Sequence, residues 1–173
     1  MRGTMEISGS GYLYTLATLA MTFVGFCAIV LVFRQGMRAE SGKRHRHHSH
    51  LYIELGFSAA AFAMLAPLLA ACGIAHLVAW RVSSAIIAVA LVIHNVVQLR
   101  RFKASNPGPL PKRVWVNSII TGLVTLGLLA NTSGFLIEPD VGPVAVAATW
   151  RLAMGVEIFL LTMEEFIAEI NAT

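Results

Sequence analysis

The sequence predicts an all-α polytopic membrane protein, a compact bundle of five transmembrane helices forming one integral membrane domain over residues 1–173. Three observations predict it. Five long apolar runs, Tyr12–Phe33, Leu51–Cys72, Val78–Leu99, Val114–Phe135 and Pro143–Phe166, are separated by short polar connections. About 20 helical residues cover the roughly 30 Å of a bilayer's hydrocarbon. Composition agrees: 57% of residues are hydrophobic and 13% charged, with a mean hydropathy of +0.71, where a soluble domain carries about 25% charged residues. A closed β-barrel would show short alternating segments rather than unbroken apolar runs.

The third observation is where the charges lie. Of 13 Lys and Arg, Arg34, Arg38, Lys43, Arg44 and Arg46 fall between the first two runs. Arg100, Arg101, Lys103, Lys112 and Arg113 fall between the third and fourth, leaving only Arg2, Arg81 and Arg151 elsewhere. The positive-inside rule places both basic connections in the cytoplasm, the N-terminus outside and the C-terminus inside, in a bacterial-type cytoplasmic membrane. A pI near 9.5 therefore reads as a topology signal, with anionic lipid headgroups as partners and no nucleic acid.

Span one is too long for a secretory h-region and ends in a basic cluster, so it reads as a retained span. Thr15, Thr18, Thr22 and Gly25 share one helical face, expected to pack against a neighbour with its hydroxyls bonded to carbonyls. Cys27 and Cys72 fall near opposite faces of the membrane, too far apart for a disulfide, and read as small buried hydrophobes. The basic connection that follows holds His45, His47, His48 and His50. These are weak metal candidates, because Arg44 and Arg46 interrupt them and no Cys or Asp joins; a solvated basic loop is the expectation, with no cofactor.

Span two is dense in Gly and Ala, from Gly56 through Ala59, Ala63 and Ala66 to Ala70. Small residues four apart let helices approach closely, at the centre of the bundle or in a homo-oligomer. Pro67 removes one backbone donor and is expected to bend the outer third. Glu54 is placed to form an inner-face ion pair with Arg34 or Arg101. Span three opens on Trp80 and Arg81, an interfacial anchor pair. Towards its inner end come His94, Asn95 and Gln98, and His94, Gln98 and Arg101 form one stripe. The Pro-rich segment 107–111 is a non-helical turn. Span four carries Asn117 at one end and Asn131, Thr132 and Ser133 at the other. Leu51-Tyr-Ile-Glu54 echoes Val114-Trp-Val-Asn117, and Trp80-Arg81 echoes Trp150-Arg151, which reads as two parallel hairpins plus a fifth helix.

Span five holds Arg151 and Glu157, and a charge in hydrocarbon costs about 2.5–3.5 kcal/mol. Six residues apart, they lie about 120° from each other around the helix and do not pair. Side chains lean towards the helix N-terminus, so Arg151 is expected to snorkel outward to Glu138 or Asp140. Glu157 must be protonated, paired or wet. Depth counting places His94 opposite Glu157 and Arg101 opposite Glu164 if spans three and five are neighbours.

No Walker A loop, HExxH, GxSxG or CxxC is present in the sequence, so an enzyme is not the expected reading. The expected function is passage or sensing of a small solute or ion through an intramembrane polar cluster of Glu157, His94, Arg151, Asn95 and Gln98. Glu54, Arg101 and Glu164 form inner-face ion pairs in this reading. The alternatives are a non-catalytic scaffold or accessory subunit, whose polar groups hold helices together, and a membrane enzyme with a site assembled from several helices.

Overall fold

Long apolar runs form helices because an α-helix satisfies every backbone N–H and C=O within one segment. The computed structural model of the chain describes residues 9–37, 43–105, 108–109, 111–135 and 138–171, with side chains outside 34–50, 105, 165 and 169–171. Among the described residues the order is α1 (Ser10–Met37), α2 (Lys43–Ala71), α3 (His76–Ser105), α4 (Lys112–Ser133) and α5 (Val141–Asn171), with no strand. Each contains a stretch long and apolar enough to cross a membrane: Ser10–Phe33, Leu51–Ala71, His76–Ala104, Lys112–Ser133 and Val141–Ala168. Large apolar side chains are exposed on every helix, among them Leu19, Phe57, Ile93, Leu123 and Leu160. Such surfaces suit lipid and are rare on soluble monomers.

The helix ends follow local chemistry. Past the end of α2, Gly73 adopts φ +85°. Its N–H donates to Ala70 O at 2.9 Å while the Ile74 N–H donates to Leu69 O at 3.2 Å. This paired 5→2 and 6→1 pattern is the Schellman stop, which favours glycine. Pro67 lies inside α2 without ending it. Pro111 precedes α4 in extended backbone, φ −56° and ψ 145°. Past its other end, Gly134 takes φ +62° and its N–H donates to Ala130 O at 3.2 Å.

Contacts divide the chain into two compact units, Gly11–Met64 with Ala148–Thr173, and Leu65–Ala147 with Met1–Ser10. In the first, α1, the first two thirds of α2, and α5 pack through small residues. A Cβ at Gly56 would come within 2.5 Å of Val24 Cγ2, and one at Gly155 would lie 3.3 Å from Phe23 Cε1 and 3.4 Å from Tyr52 O. Beside this crossing Cys27, Tyr52 and Phe159 form a buried cluster. The Phe159 ring meets Tyr52, Phe26 and Phe23 edge-on at 5.5, 5.7 and 6.0 Å, the geometry aromatic quadrupoles favour. In the second unit α3 and α4 pack together. Ala79, Trp80, Ser83, Ser84, Ile87, Ala88 and Leu91 form the buried stripe of α3; Thr121, Thr125, Leu128 and Asn131 form that of α4.

Three expectations are corrected. The Thr15, Thr18, Thr22 and Gly25 face of α1 is exposed. Its hydroxyls donate to Gly11, Tyr14 and Thr18 carbonyls at 2.9–3.0 Å, so they need no neighbour, and α1 packs instead through Leu13, Leu16, Ala17, Ala20, Val24 and Cys27. Cys27 is buried but Cys72, at the end of α2, is exposed; both are free thiols. Trp80 is buried rather than a surface anchor, because it falls on the α3 stripe that meets protein. Its neighbour Arg81 covers Gly134, where a Cβ would lie 2.5 Å from a guanidinium nitrogen. A cation there complements the carbonyl end of α4.

Gly134→Ala meets both the left-handed backbone, worth about 1–2 kcal/mol, and Arg81. Gly56→Leu overpacks the α1–α2 crossing, at about 1–3 kcal/mol or more. Both variants are expected to melt earlier than wild type in detergent, whereas Gly127→Ala, with open space at its Cβ, is expected to melt within about 0.5 kcal/mol of it. Equal melting of all three variants would contradict this packing.

Candidate functional site

The phase of α5 decides what Arg151 can touch. Its buried positions are Val144, Ala147, Ala148, Arg151, Phe159 and Thr162, with Gly155 buried among them. These spacings of one, three and four make a single stripe, and Arg151 sits in its middle. The side chain is only 4% exposed. It is buried against α2 rather than turned out to the surface. Its Nε donates to Ser58 Oγ at 3.1 Å, and its guanidinium carbon lies 5.8 Å from the centroid of the Phe62 ring, within cation–π range. Leaning towards the helix N-terminus shifts a side chain along the axis but does not turn it off its stripe.

Ser58 is held for this role by its own helix. Its hydroxyl donates to Leu55 O at 2.8 Å, which leaves an oxygen lone pair to accept from Arg151. One turn further along α2, Glu54 is exposed, and its carboxylate is close enough to act on the guanidinium. Glu54, Ser58 and Phe62 are spaced by four and form one face of α2. That face carries a carboxylate, a hydroxyl and an aromatic ring past one buried cation. Glu54 and Arg101, an expected inner-face pair, belong to different compact units. The side chain of Arg34 lies outside the described residues.

A guanidinium has five N–H donors in a planar fork. Among the described residues only Nε of Arg151 is hydrogen-bonded to the protein. The remaining edge is suited to a bidentate acceptor such as a carboxylate or an oxoanion.

The other sequence-predicted residues are placed as follows. His94, Asn95 and Gln98 are half-buried on α3, and Arg101 is exposed. Ser118 Oγ donates to Asn95 Oδ1 at 3.3 Å, joining α3 to α4. Glu157 is half-buried and Glu164 exposed on α5. The α3 residues belong to one compact unit, and Glu54, Arg151, Glu157 and Glu164 to the other. Each expected pair, His94–Glu157 and Arg101–Glu164, thus takes one residue from each unit. The side chains of His45, His47, His48 and His50 lie outside the described residues.

Sequence reasoning assigned no role to two polar residues that the structure singles out. Ser58 was one small residue among many in span two, and its spacing from Glu54 was the signal available. Asn131 is fully buried. Its Nδ2 donates to Ser84 Oγ at 2.8 Å and to Asp140 O at 3.1 Å, and its Oδ1 accepts from the Asp140 N–H at 2.9 Å. The carboxamide therefore pairs with the backbone that leads into α5 as another strand of backbone would. Comparison with family models, with curated proteins and with solved structures found no match, so function is argued from the site.

Ser58→Ala removes a hydrogen bond to a buried charge, worth about 1.5–3 kcal/mol, and Ser58→Thr is expected to restore it. Asn131→Ala removes two hydrogen bonds to the Asp140 backbone and one to Ser84, at about 0.5–1.5 kcal/mol for each bond lost. Thermal unfolding in detergent reads both. A wild-type melting temperature in Ser58→Ala would show that the bond contributes nothing.

Proposed function

We propose that this chain spans a bacterial-type cytoplasmic membrane five times, N-terminus outside, and passes or senses a small anionic solute at Arg151. The observation that carries this reading is a guanidinium buried on the α5 packing stripe with one hydrogen bond to a neutral hydroxyl. An apolar side chain would fill that position at no electrostatic cost, whereas the cation offers a fork of donors of which, among the described residues, only Nε is bonded. Ser58 and Phe62 orient the fork without neutralising it. Glu54, at the end of the same α2 face, acts as a gate charge: it attracts Arg151 and repels a second anion.

A second reading has its own support. Ser58, Phe62 and Glu54 all favour the guanidinium, so Arg151 serves equally as polar glue in a non-catalytic scaffold. The two readings separate on Arg151→Met, which keeps the volume and removes the charge. Replacement of buried polar pairs by well-packed apolar groups is often neutral or stabilising, so the variant is expected to fold. Purified wild type and Arg151→Met are heated with phosphate, sulfate, nitrate, acetate or succinate. At a hundredfold excess over Kd a ligand adds about 2.7 kcal/mol, or roughly 5–10 °C for a domain of this size. At least one of these anions is expected to raise the melting temperature of wild type and not of Arg151→Met. If none does, and the variant retains the bundle, the scaffold reading stands alone.

The placement is tested separately by reporter fusions. Those at Gly42 and Pro109 are expected to report cytoplasm and one at Glu138 the opposite side, from the charge asymmetry of the connections. The reverse pattern overturns the orientation.

A further inference from the structure

A groove of about 430 Å³ runs between α3 and α4, lined among others by Leu91, Val96, Ile119, Gly122 and Leu126. Its polar lining residues are already engaged: Thr121 and Thr125 donate to the Asn117 and Thr121 carbonyls at 2.8 Å, and Asn95 accepts from Ser118. The groove thus presents mainly methyl and methylene groups. At Gly122 nothing lies within 4 Å of where a Cβ would stand, so the absence of a side chain there keeps the groove open.

The same two helices end in cations. Arg100, Arg101 and Lys103 close α3 and Lys112 and Arg113 open α4, all of them exposed. Neither helix carries an Asp or Glu. From Arg101 back to Asn95, and from Arg113 on to Ile119, is about 9 Å at 1.5 Å per residue. Between those levels Trp115 is exposed, an aromatic at the depth where indoles meet headgroups. A cluster of positive charge, an aromatic, and then an apolar groove follow one another along a single face.

We infer that this face holds an anionic phospholipid, its phosphate at the basic ends of α3 and α4 and an acyl chain in the groove. The inference uses the membrane placement proposed above and does not involve Arg151. A second copy of the chain is a poorer occupant, because copies sharing one orientation bring the same basic ends to the same depth. A water-soluble ligand lacks the chain that the lining would bury.

The test is native mass spectrometry of the full chain in detergent, titrated with phosphatidylglycerol or phosphatidylcholine of identical chains. One basic residue near an anionic surface is worth about fivefold in affinity, so wild type is expected to prefer phosphatidylglycerol by at least that factor. Arg100→Gln with Lys112→Gln is expected to abolish the preference and retain binding of the chain. Gly122→Leu, whose Cβ meets nothing within 4 Å, is expected to fill the groove and weaken both lipids severalfold; Leu126→Ser, at an exposed position, is the second groove variant. Equal binding of the two lipids by wild type overturns the inference. So does unweakened binding in both groove variants, or competition by glycerol phosphate as effective as that by the whole lipid, since either outcome leaves only attraction to a basic loop.

Discussion

Close approach of helix backbones is the constraint on which the unit of α1, α2 and α5 rests. Helices long and apolar enough to cross a membrane would gain nothing there by hiding from an apolar solvent, so such helices associate where van der Waals contact is dense and backbones come near. Gly56 admits Val24 from α1, and Gly155 admits Phe23 and the backbone of α2 at Tyr52. Arg151 lies one turn from Gly155, and Ser58 half a turn from Gly56. The crossing that small residues permit therefore also sets the reach of the guanidinium to its hydroxyl partner. Packing and candidate site are one piece of geometry.

Two polar groups in the interior illustrate different solutions to the same cost. The carboxamide of Asn131 is closed: its donors and acceptor meet Ser84 and both backbone groups of Asp140. Nothing remains for a ligand, and its effect is to tie the approach to α5 to the end of α4. Arg151 is open. It donates from Nε to Ser58 and lies over the Phe62 ring, and among the described residues its other donors meet no hydrogen-bond acceptor. A fully satisfied polar group rigidifies and specifies structure; the donors left on Arg151 are what the proposed anion site rests on.

Hydroxyls show the same logic on a smaller scale. Thr15, Thr18 and Thr22 bond back to their own helix and face outward, as Thr121 and Thr125 do on the buried side of α4. A threonine that is satisfied locally behaves towards its surroundings as a small apolar residue. This is why a row of them permits either lipid or protein as a neighbour.

The number, order and approximate ends of the helices were legible in the sequence, because span length and transfer energy are properties of a single segment. The stop at Gly134 was not read from the sequence, which carried span four on to Phe135, although a glycine in the left-handed region is what ends α4 there. The cost of Arg151 was legible too, but not its direction. Trp80 was taken for a surface anchor and the threonine row of α1 for a packing face, and both assignments failed for one reason. A soluble helix marks its buried face by contrast with polar residues, whereas helices apolar on all sides carry no such mark. Which stripe of α1 or α5 meets protein depends on where Gly56 and Gly155 let neighbours approach, and which stripe of α3 does so depends on its packing against α4. That choice belongs to several segments at once, and only the tertiary structure makes it.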